Sequence, residues 1–91
     1  MAEPQNLDSL IEYPVDFPIK IMGKRHDDFA NTMVTIVLRH APDWDSATLE
    51  MRPSKSGSYL SLTATIRAVN RQQLDALYTE LSGHPMVSVV L

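Results

Sequence analysis

The chain has 91 residues, a length at which one small domain with a single hydrophobic core is expected. Hydrophobic residues make up 44% and charged residues 21% of the chain, which excludes a collagen-like or wholly disordered protein. Because there is no cysteine, disulfides, thiolate metal sites and a cysteine nucleophile are excluded. No apolar segment reaches the roughly 20 residues of a membrane span, and the first residues lack a signal-peptide pattern. We therefore expect a soluble, cytoplasmic protein with no membrane partner.

The charge is concentrated at one end of the chain. Residues 1–14 contain Glu3, Asp8 and Glu12 but no base, which accounts for the net charge of −3. These residues are predicted to form an N-terminal tail ahead of a single domain of residues 15–91. Within the tail, Leu7, Leu10 and Ile11 have the spacing of a short amphipathic helical turn, which is too short to be stable alone.

A strand and a helix are predicted first. Residues 15–22 alternate apolar and polar side chains, as a strand with one buried face does, and Gly23 would end that strand. Pro18 would direct its missing N–H to a bulge or to an unpaired position. A helix at about residues 27–41 follows, because apolar side chains recur at helical spacing before Pro42. The stripe on that helix comprises Phe29, Met33, Ile36, Val37 and His40.

A hairpin, a second helix and a last strand complete the predicted elements. Residues 46–53 alternate and would turn Leu49 and Met51 inward, and residues 58–69 return as a third strand after a turn that ends at Gly57. Asn70 predicts the N-cap of a second helix that ends near Gly83. Its buried stripe comprises Leu74, Leu77, Tyr78 and Leu81. The final residues, 86–91, are predicted to form the last strand.

This order of elements predicts an α+β fold of the ferredoxin-like βαββαβ type. Right-handed crossovers would give an antiparallel four-stranded sheet in the order 4-1-3-2, with both helices on one face. The other face would be polar on strands two and three and apolar where strands four and one meet. Met22, Met86 and Val90 are predicted to form an interface there, because exposed apolar patches mark binding surfaces. The N-terminal tail or a second copy of the chain would cover this apolar patch equally well.

The three histidines lack a catalytic or metal-binding pattern. His26 is followed by two acids, but adjacent residues do not converge on a metal ion. A partly buried ring that donates to a backbone carbonyl near the helix end explains His40, and His84 is predicted to be solvated in a turn. The serines of the hairpin lack a nucleophile-elbow motif. We expect no enzymatic activity, no metal and no cofactor.

A nucleic-acid partner is also not expected. RNA-binding domains of this topology stack bases on aromatic side chains of the central strands. On strand three only Tyr59 is aromatic and predicted to face outward, with Lys20 and Arg67 as the bases that would accompany it. Outside residues 1–14 the chain has eight acids and eight bases, so it has no general attraction for a phosphate backbone.

Several segments together resemble the YbeD-like family of small bacterial proteins. They are IEYPVDFPIKIMG, RHAP, RPSKSGSYLSLTATI, LYTEL and VVL, which span nearly the whole chain. The resemblance implies a ferredoxin-like fold close to that of ACT regulatory domains, which bind amino acids or other small effectors. It implies no established activity, and the position of family genes beside lipoate-attachment genes suggests a link to lipoate metabolism. Arg25, His26 and Asp27 lie outside the family pattern.

Two functions follow as hypotheses. A regulatory module that senses a small metabolite would bind it in the loop after strand one, where Gly23 lets a carboxylate approach and Lys24 and Arg25 assist it. An adaptor would instead bind a protein partner, or a second copy, through the apolar edge of strands four and one. The sequence does not choose between them.

Overall fold

The computed structural model describes residues 12–91. The amphipathic turn predicted around Leu7 and Leu10 lies outside the described residues. The elements in chain order are β1 (Val15–Lys24), α1 (Phe29–His40), a 3-10 helix (Ser46–Thr48), β2 (Glu50–Pro53), β3 (Tyr59–Ala68), α2 (Arg71–Ser82) and β4 (Val89–Val90). The strands form one antiparallel sheet in the order β2-β3-β1-β4, which is the predicted order counted from the opposite edge. The ferredoxin-like fold is confirmed.

The central pair of strands organises the core. β1 and β3 run antiparallel over ten residue pairs, from Val15 opposite Ala68 to Lys24 opposite Tyr59. Because successive side chains of a strand point to opposite faces, one set of alternate residues faces the helices. That set includes the fully buried Ile19, Ile21, Leu62, Ala64, Ile66 and Ala68. The two helices cover them with Phe29, Met33, Ile36, Val37, Leu74, Leu77 and Leu81.

The N-cap of α2 and the position of Pro18 agree with the predictions. The Asn70 side chain accepts a hydrogen bond from the backbone N–H of Gln73 at 2.8 Å, which satisfies a free donor at the start of α2. Lys20 exchanges backbone hydrogen bonds with Leu91, so alternate residues of β1 point their N–H groups toward β4. Since β4 pairs with β1 only at Ile21 and Met22, Pro18 meets no strand on that side.

The second strand is shorter than predicted. Residues 46–48 form a 3-10 turn, because the Asp45 side chain accepts a hydrogen bond from the Ala47 N–H at 3.0 Å. Local hydrogen bonds of this kind compete with strand pairing. Met51 lies opposite the buried Leu62 yet is 59% exposed, since β2 is an edge strand that the helices do not cover. The predicted burial of Met51 is therefore wrong.

The last strand is also shorter, and its predicted orientation is wrong. A turn closed by a 3.0 Å hydrogen bond from the Val87 N–H to the His84 carbonyl shifts the alternation by one residue. Val90 therefore lies opposite Ile21 and faces the helices, whereas Val89 lies opposite Met22 and faces the open side. Met86, predicted on the open face, packs half-buried against the core.

His40 joins the two helices through a carboxylate. Its Nε2 lies 2.7 Å from Oε1 of Glu80, and Arg39 contacts the other carboxylate oxygen. The prediction that the His40 ring donates to a backbone carbonyl is wrong, because its partner is the Glu80 carboxylate. The ring is partly buried, as expected. The His40 carbonyl accepts a hydrogen bond from Nε2 of Gln73 at 2.9 Å. These contacts fix the C-terminal end of α1 against α2.

Tyr78 fixes the end of β4 to α2. Its hydroxyl donates a hydrogen bond of 3.0 Å to the Leu91 carbonyl, and its ring meets Phe17 edge to face at 6.5 Å between centroids. Burial raises the pKa of the Tyr78 phenol above its ordinary value.

Tyr78→Phe removes this hydrogen bond and should lower the free energy of unfolding near neutral pH by about 1 kcal/mol. Because the folded protein holds the phenol proton more tightly than the unfolded chain does, stability should fall as the pH rises above about 10. The fall should be smaller in Tyr78→Phe. Urea unfolding of the native protein and of Tyr78→Phe, from neutral pH across this alkaline range, measures both effects. If the free energy of unfolding falls equally steeply with pH in the two proteins, the alkaline prediction is contradicted.

Candidate functional site

The sheet face that the helices leave open carries two parallel rows of polar side chains. Residues paired across antiparallel strands point to the same face. Lys20 and Glu50 both pair with Thr63, so these three form one row across the sheet. The neighbouring row, toward the β2–β3 turn, comprises Met22, Ser61 and Arg52. The two rows bring residues from three strands together.

Three hollows lie over these rows. The first, about 160 Å³, is lined by Lys20, Glu50, Met51, Arg52, Ser61 and Thr63. The second, about 240 Å³, is lined by Met22, Arg52, Pro53, Ser54, Tyr59, Leu60 and Ser61. The third, about 480 Å³, is lined by Pro18, Lys20, Glu50, Thr63 and Leu91. Because neighbouring hollows share lining residues, they form one continuous depression, which we call the open-face trough.

The lining of the trough contains two bases, Lys20 and Arg52, and one acid, Glu50, although the chain as a whole is acidic. Three bases form ion pairs with carboxylates among the described residues: Arg39 with Glu80, Arg67 with Asp16, and Arg71 with Asp75. The other five bases form no ion pair within residues 12–91, and they are Lys20, Lys24, Arg25, Arg52 and Lys55. All five lie on the open face or at the end of the sheet that holds the β2–β3 turn. Anionic groups are therefore attracted to this end.

The predicted ligand loop divides into two parts. Gly23 is buried inside β1, where an added Cβ would lie 2.3 Å from the Met86 carbonyl oxygen and 2.8 Å from the Phe29 ring. Gly23 therefore allows two parts of the chain to approach closely, because the Met86 carbonyl and the Phe29 ring occupy the space where a side chain would lie. Lys24 and Arg25 are exposed, and the Arg25 N–H donates to the Ser58 carbonyl at 2.9 Å. The structure thus brings Lys24 and Arg25 to the β2–β3 turn.

The predicted apolar patch is smaller than expected on the open face. Of its three residues, Met22 lies there, half-buried, and Met86 and Val90 lie on the helix side. Val89, opposite Met22 and 44% exposed, takes the place of Val90.

Tyr59 lies at the end of the trough with neighbours other than those predicted. It is 46% exposed and pairs with Lys24, and it lines the same hollow as Arg52. Lys20 is two rows away, and Arg67 lies near the far end of the face, 3.7 Å from Asp16. Glu50 and Arg52 were not predicted as site residues from the sequence. The only indication of their place in the trough was their position in the alternation of the short second strand.

The remaining histidines have local structural roles. Nδ1 of His26 accepts a hydrogen bond from the Asp28 N–H at 3.0 Å, and Nδ1 of His84 accepts one from the Met86 N–H at 3.1 Å. His84 is half-buried rather than solvated as predicted. Among residues 12–91 no group of three potential metal ligands is found. In the same part of the chain, neither helix has the length and apolar character to cross a bilayer.

The fold is shared with proteins of known structure. An ACT domain from the GTP pyrophosphokinase of Chlorobium tepidum superimposes with a TM-score of 0.63 and 19% identity over 84% of each chain. A protein from H. pylori, solved in solution, superimposes with a TM-score of 0.71 and 16% identity over 89% of this chain and 85% of that one. At such identities the likeness establishes an ACT-like, ferredoxin-like fold.

Sequence similarity establishes the family. Residues 8–91 match the family described as "Protein of unknown function (DUF493)". A UPF0250 protein of Bordetella pertussis is 62% identical over 84 residues, or 92% of each chain, and one of Janthinobacterium sp. is 54% identical over the whole of both chains. The chain therefore belongs to the DUF493 family of bacterial UPF0250 proteins. The predicted YbeD-like resemblance is confirmed.

Gly23→Ala should destabilise the fold, because its Cβ would collide with the Met86 carbonyl and the Phe29 ring. We expect a loss of about 1–3 kcal/mol in the free energy of unfolding, as for other overpacked cores. Gly83→Ala is the matched control, since its Cβ would lie 3.3 Å from the nearest atom, and it should cost less. Urea unfolding of both variants measures the difference, and equal losses would contradict the packing role of Gly23.

Proposed function

We propose that this protein is a non-enzymatic regulatory module that binds a small-molecule effector in the open-face trough. The observation that carries the proposal is the convergence of Lys20, Glu50 and Arg52, none of which has an ion-pair partner among residues 12–91, on hollows that adjoin one another. Charged side chains that are merely exposed to water need not point toward one hollow. A concave site with a few convergent polar groups is typical of small-molecule binding.

The chemistry of the trough supports binding rather than catalysis. The hydroxyls of Ser61 and Thr63 lie on its floor, and neither forms a hydrogen bond with a histidine, lysine or carboxylate side chain among residues 12–91. A serine or threonine nucleophile needs an adjacent base within hydrogen-bond reach. The groups present can orient a ligand and balance its charge.

The ACT-like fold supports a regulatory role for the bound effector. The ligand loop expected from sequence adjoins the trough, because Lys24 pairs with Tyr59 at its end. We therefore extend the proposed site from Lys24 and Arg25 onto the open face. A role in lipoate metabolism remains a proposal, so lipoate-related acids belong among the candidate effectors.

A melting-temperature screen against amino acids, organic acids and nucleotides tests the proposal. An effector at about 100 times its Kd should stabilise the fold by about 2.7 kcal/mol and raise Tm by roughly ten degrees. Ser61→Tyr fills the trough with a side chain suited to a strand, and it should abolish the shift. Thr65→Tyr, on the same face but outside the trough lining, should keep it. An absent shift in the native protein, or a full shift in Ser61→Tyr, would reject the site.

The edge of β4 supports a second candidate, an adaptor or homodimer contact. Val89 is 44% and Leu91 64% exposed, and β1 continues beyond β4 without a strand on that side. Exposed strand edges are templates for a partner strand.

Val89→Asp should prevent association through this edge while the monomer stays folded, because it puts a charge where apolar contact is required. Val69→Asp is the control, since Val69 is 54% exposed and lies beyond the end of β3. Sedimentation equilibrium of the two variants measures association. Unchanged association in Val89→Asp would exclude this edge as the interface.

A further inference from the structure

We propose that the effector is an organic carboxylate with an apolar or aromatic body. Its head is held between Lys20 and Arg52, and its body lies against Met22 and Tyr59. This inference rests on the proposed function, which requires only that some small molecule occupies the trough. It adds the chemical class of that molecule and its orientation.

The two bases are placed to share one anionic head. Lys20 and Arg52 lie on the strands that flank β3, in neighbouring rows. With about 4.8 Å between strands and about 3.4 Å per residue, their Cα atoms are about 12 Å apart. Both side chains are long and exposed, and both line the same hollow, so they can converge above β3.

The floor between the bases offers further donors. Ser61 and Thr63 line the hollow that both bases share, and their hydroxyls form no hydrogen bond with other residues of the described chain. A hydroxyl can donate to a carboxylate oxygen, and a hydrogen bond to a charged group is stronger than one between neutral groups. The head would therefore meet two cations and two hydroxyl groups.

The single acid of the trough limits the charge of the head. Glu50 pairs with Thr63 on the side opposite Lys20 and has no base as partner within residues 12–91. Its charge repels an anion placed on Thr63, and together the two bases and this one acid leave the lining with a net charge of +1. A carboxylate with one charge balances that net charge, whereas a phosphate monoester carries nearly two.

The other end of the trough fits an apolar body. The hollow that adjoins Arg52 is lined by Met22, Pro53, Tyr59 and Leu60. Tyr59 and Thr63 are four residues apart on β3, or about 13 Å, so a head near Ser61 and Thr63 leaves room for an aryl group on a short chain. An aromatic body could also lie edge-on or stacked against the Tyr59 ring.

Titration of the full chain with 4-phenylbutyrate, followed by amide chemical shifts, tests the inference. The shifts should concentrate at Tyr59, Ser61 and Thr63, and the neutral 4-phenylbutyramide should bind at least about tenfold more weakly. Lys20→Met and Arg52→Met should each weaken 4-phenylbutyrate about tenfold, equivalent to about 1.4 kcal/mol. Glu50→Gln should strengthen it a few-fold, because it removes the repulsion.

Arg67→Met is the matched control, since Arg67 lies on the same face but pairs with Asp16 outside the trough lining. It should leave the affinity unchanged. Equal binding of acid and amide, or unchanged affinity in Lys20→Met and Arg52→Met, would overturn the inference, as would no binding of 4-phenylbutyrate. If a phosphate monoester instead shifts the same amides, the proposed function stands and the carboxylate class fails. If no compound of the melting screen shifts them, the proposed function fails as well.

Discussion

The pairing of β1 with β3 is the constraint on which the other features of the molecule depend. Ten consecutive residue pairs hold these central strands in one register. Since side chains alternate between faces, that register assigns every residue of both strands to the core or to the open side. A slip of one residue would bury Lys20 and expose Ile19. The cost of burying an unpaired charge makes the observed register strongly preferred.

The same register builds the trough. It places Ser61 and Thr63 on the open side between the two flanking strands, and the short β2 then adds Glu50 and Arg52 beside them. The hydrophobic effect thus positions the polar residues indirectly, because burying one set of alternate side chains forces the other set outward. Gly23 contributes from the core side by allowing the Met86 carbonyl and the Phe29 ring to close over β1.

The distribution of charge separates this face from the rest of the surface. Bases near the helices and at the far end of the sheet are neutralised by nearby acids, such as Glu80 beside Arg39 and Asp16 beside Arg67. Bases near the β2–β3 turn have no such partners among the described residues. A chain with a net charge of −3 therefore presents one locally cationic end, which total charge does not reveal.

Much of the fold was predictable because its signals are local. The alternation in β1 and β3, the Asn70 cap and the helical stripes each depend on a few neighbouring residues. The errors arose where a local turn reset the alternation, as before Val90, or where an edge strand left Met51 uncovered. Trp44, which lies outside every predicted element, is only 7% exposed because it joins the core.

The candidate site was harder to predict because it depends on pairs distant in sequence. Outside the candidate site, the contact between Glu80 and His40 shows the same difficulty, because the two residues are forty positions apart and no local pattern joins them. Likewise, the row of Lys20, Thr63 and Glu50 exists only once two strand registers are known. The sequence alone indicates which residues are polar. The pairing of the strands determines which of them lie next to one another.

The most direct measurement of this arrangement is the set of nuclear Overhauser contacts made by the Thr63 methyl group in solution. The observed register predicts contacts to side-chain protons of both Lys20 and Glu50, across the two neighbouring strands. Contacts from that methyl group to Ile19, Ile21 or the helices would show that Thr63 faces the core. In that case the open-face trough would not exist as described.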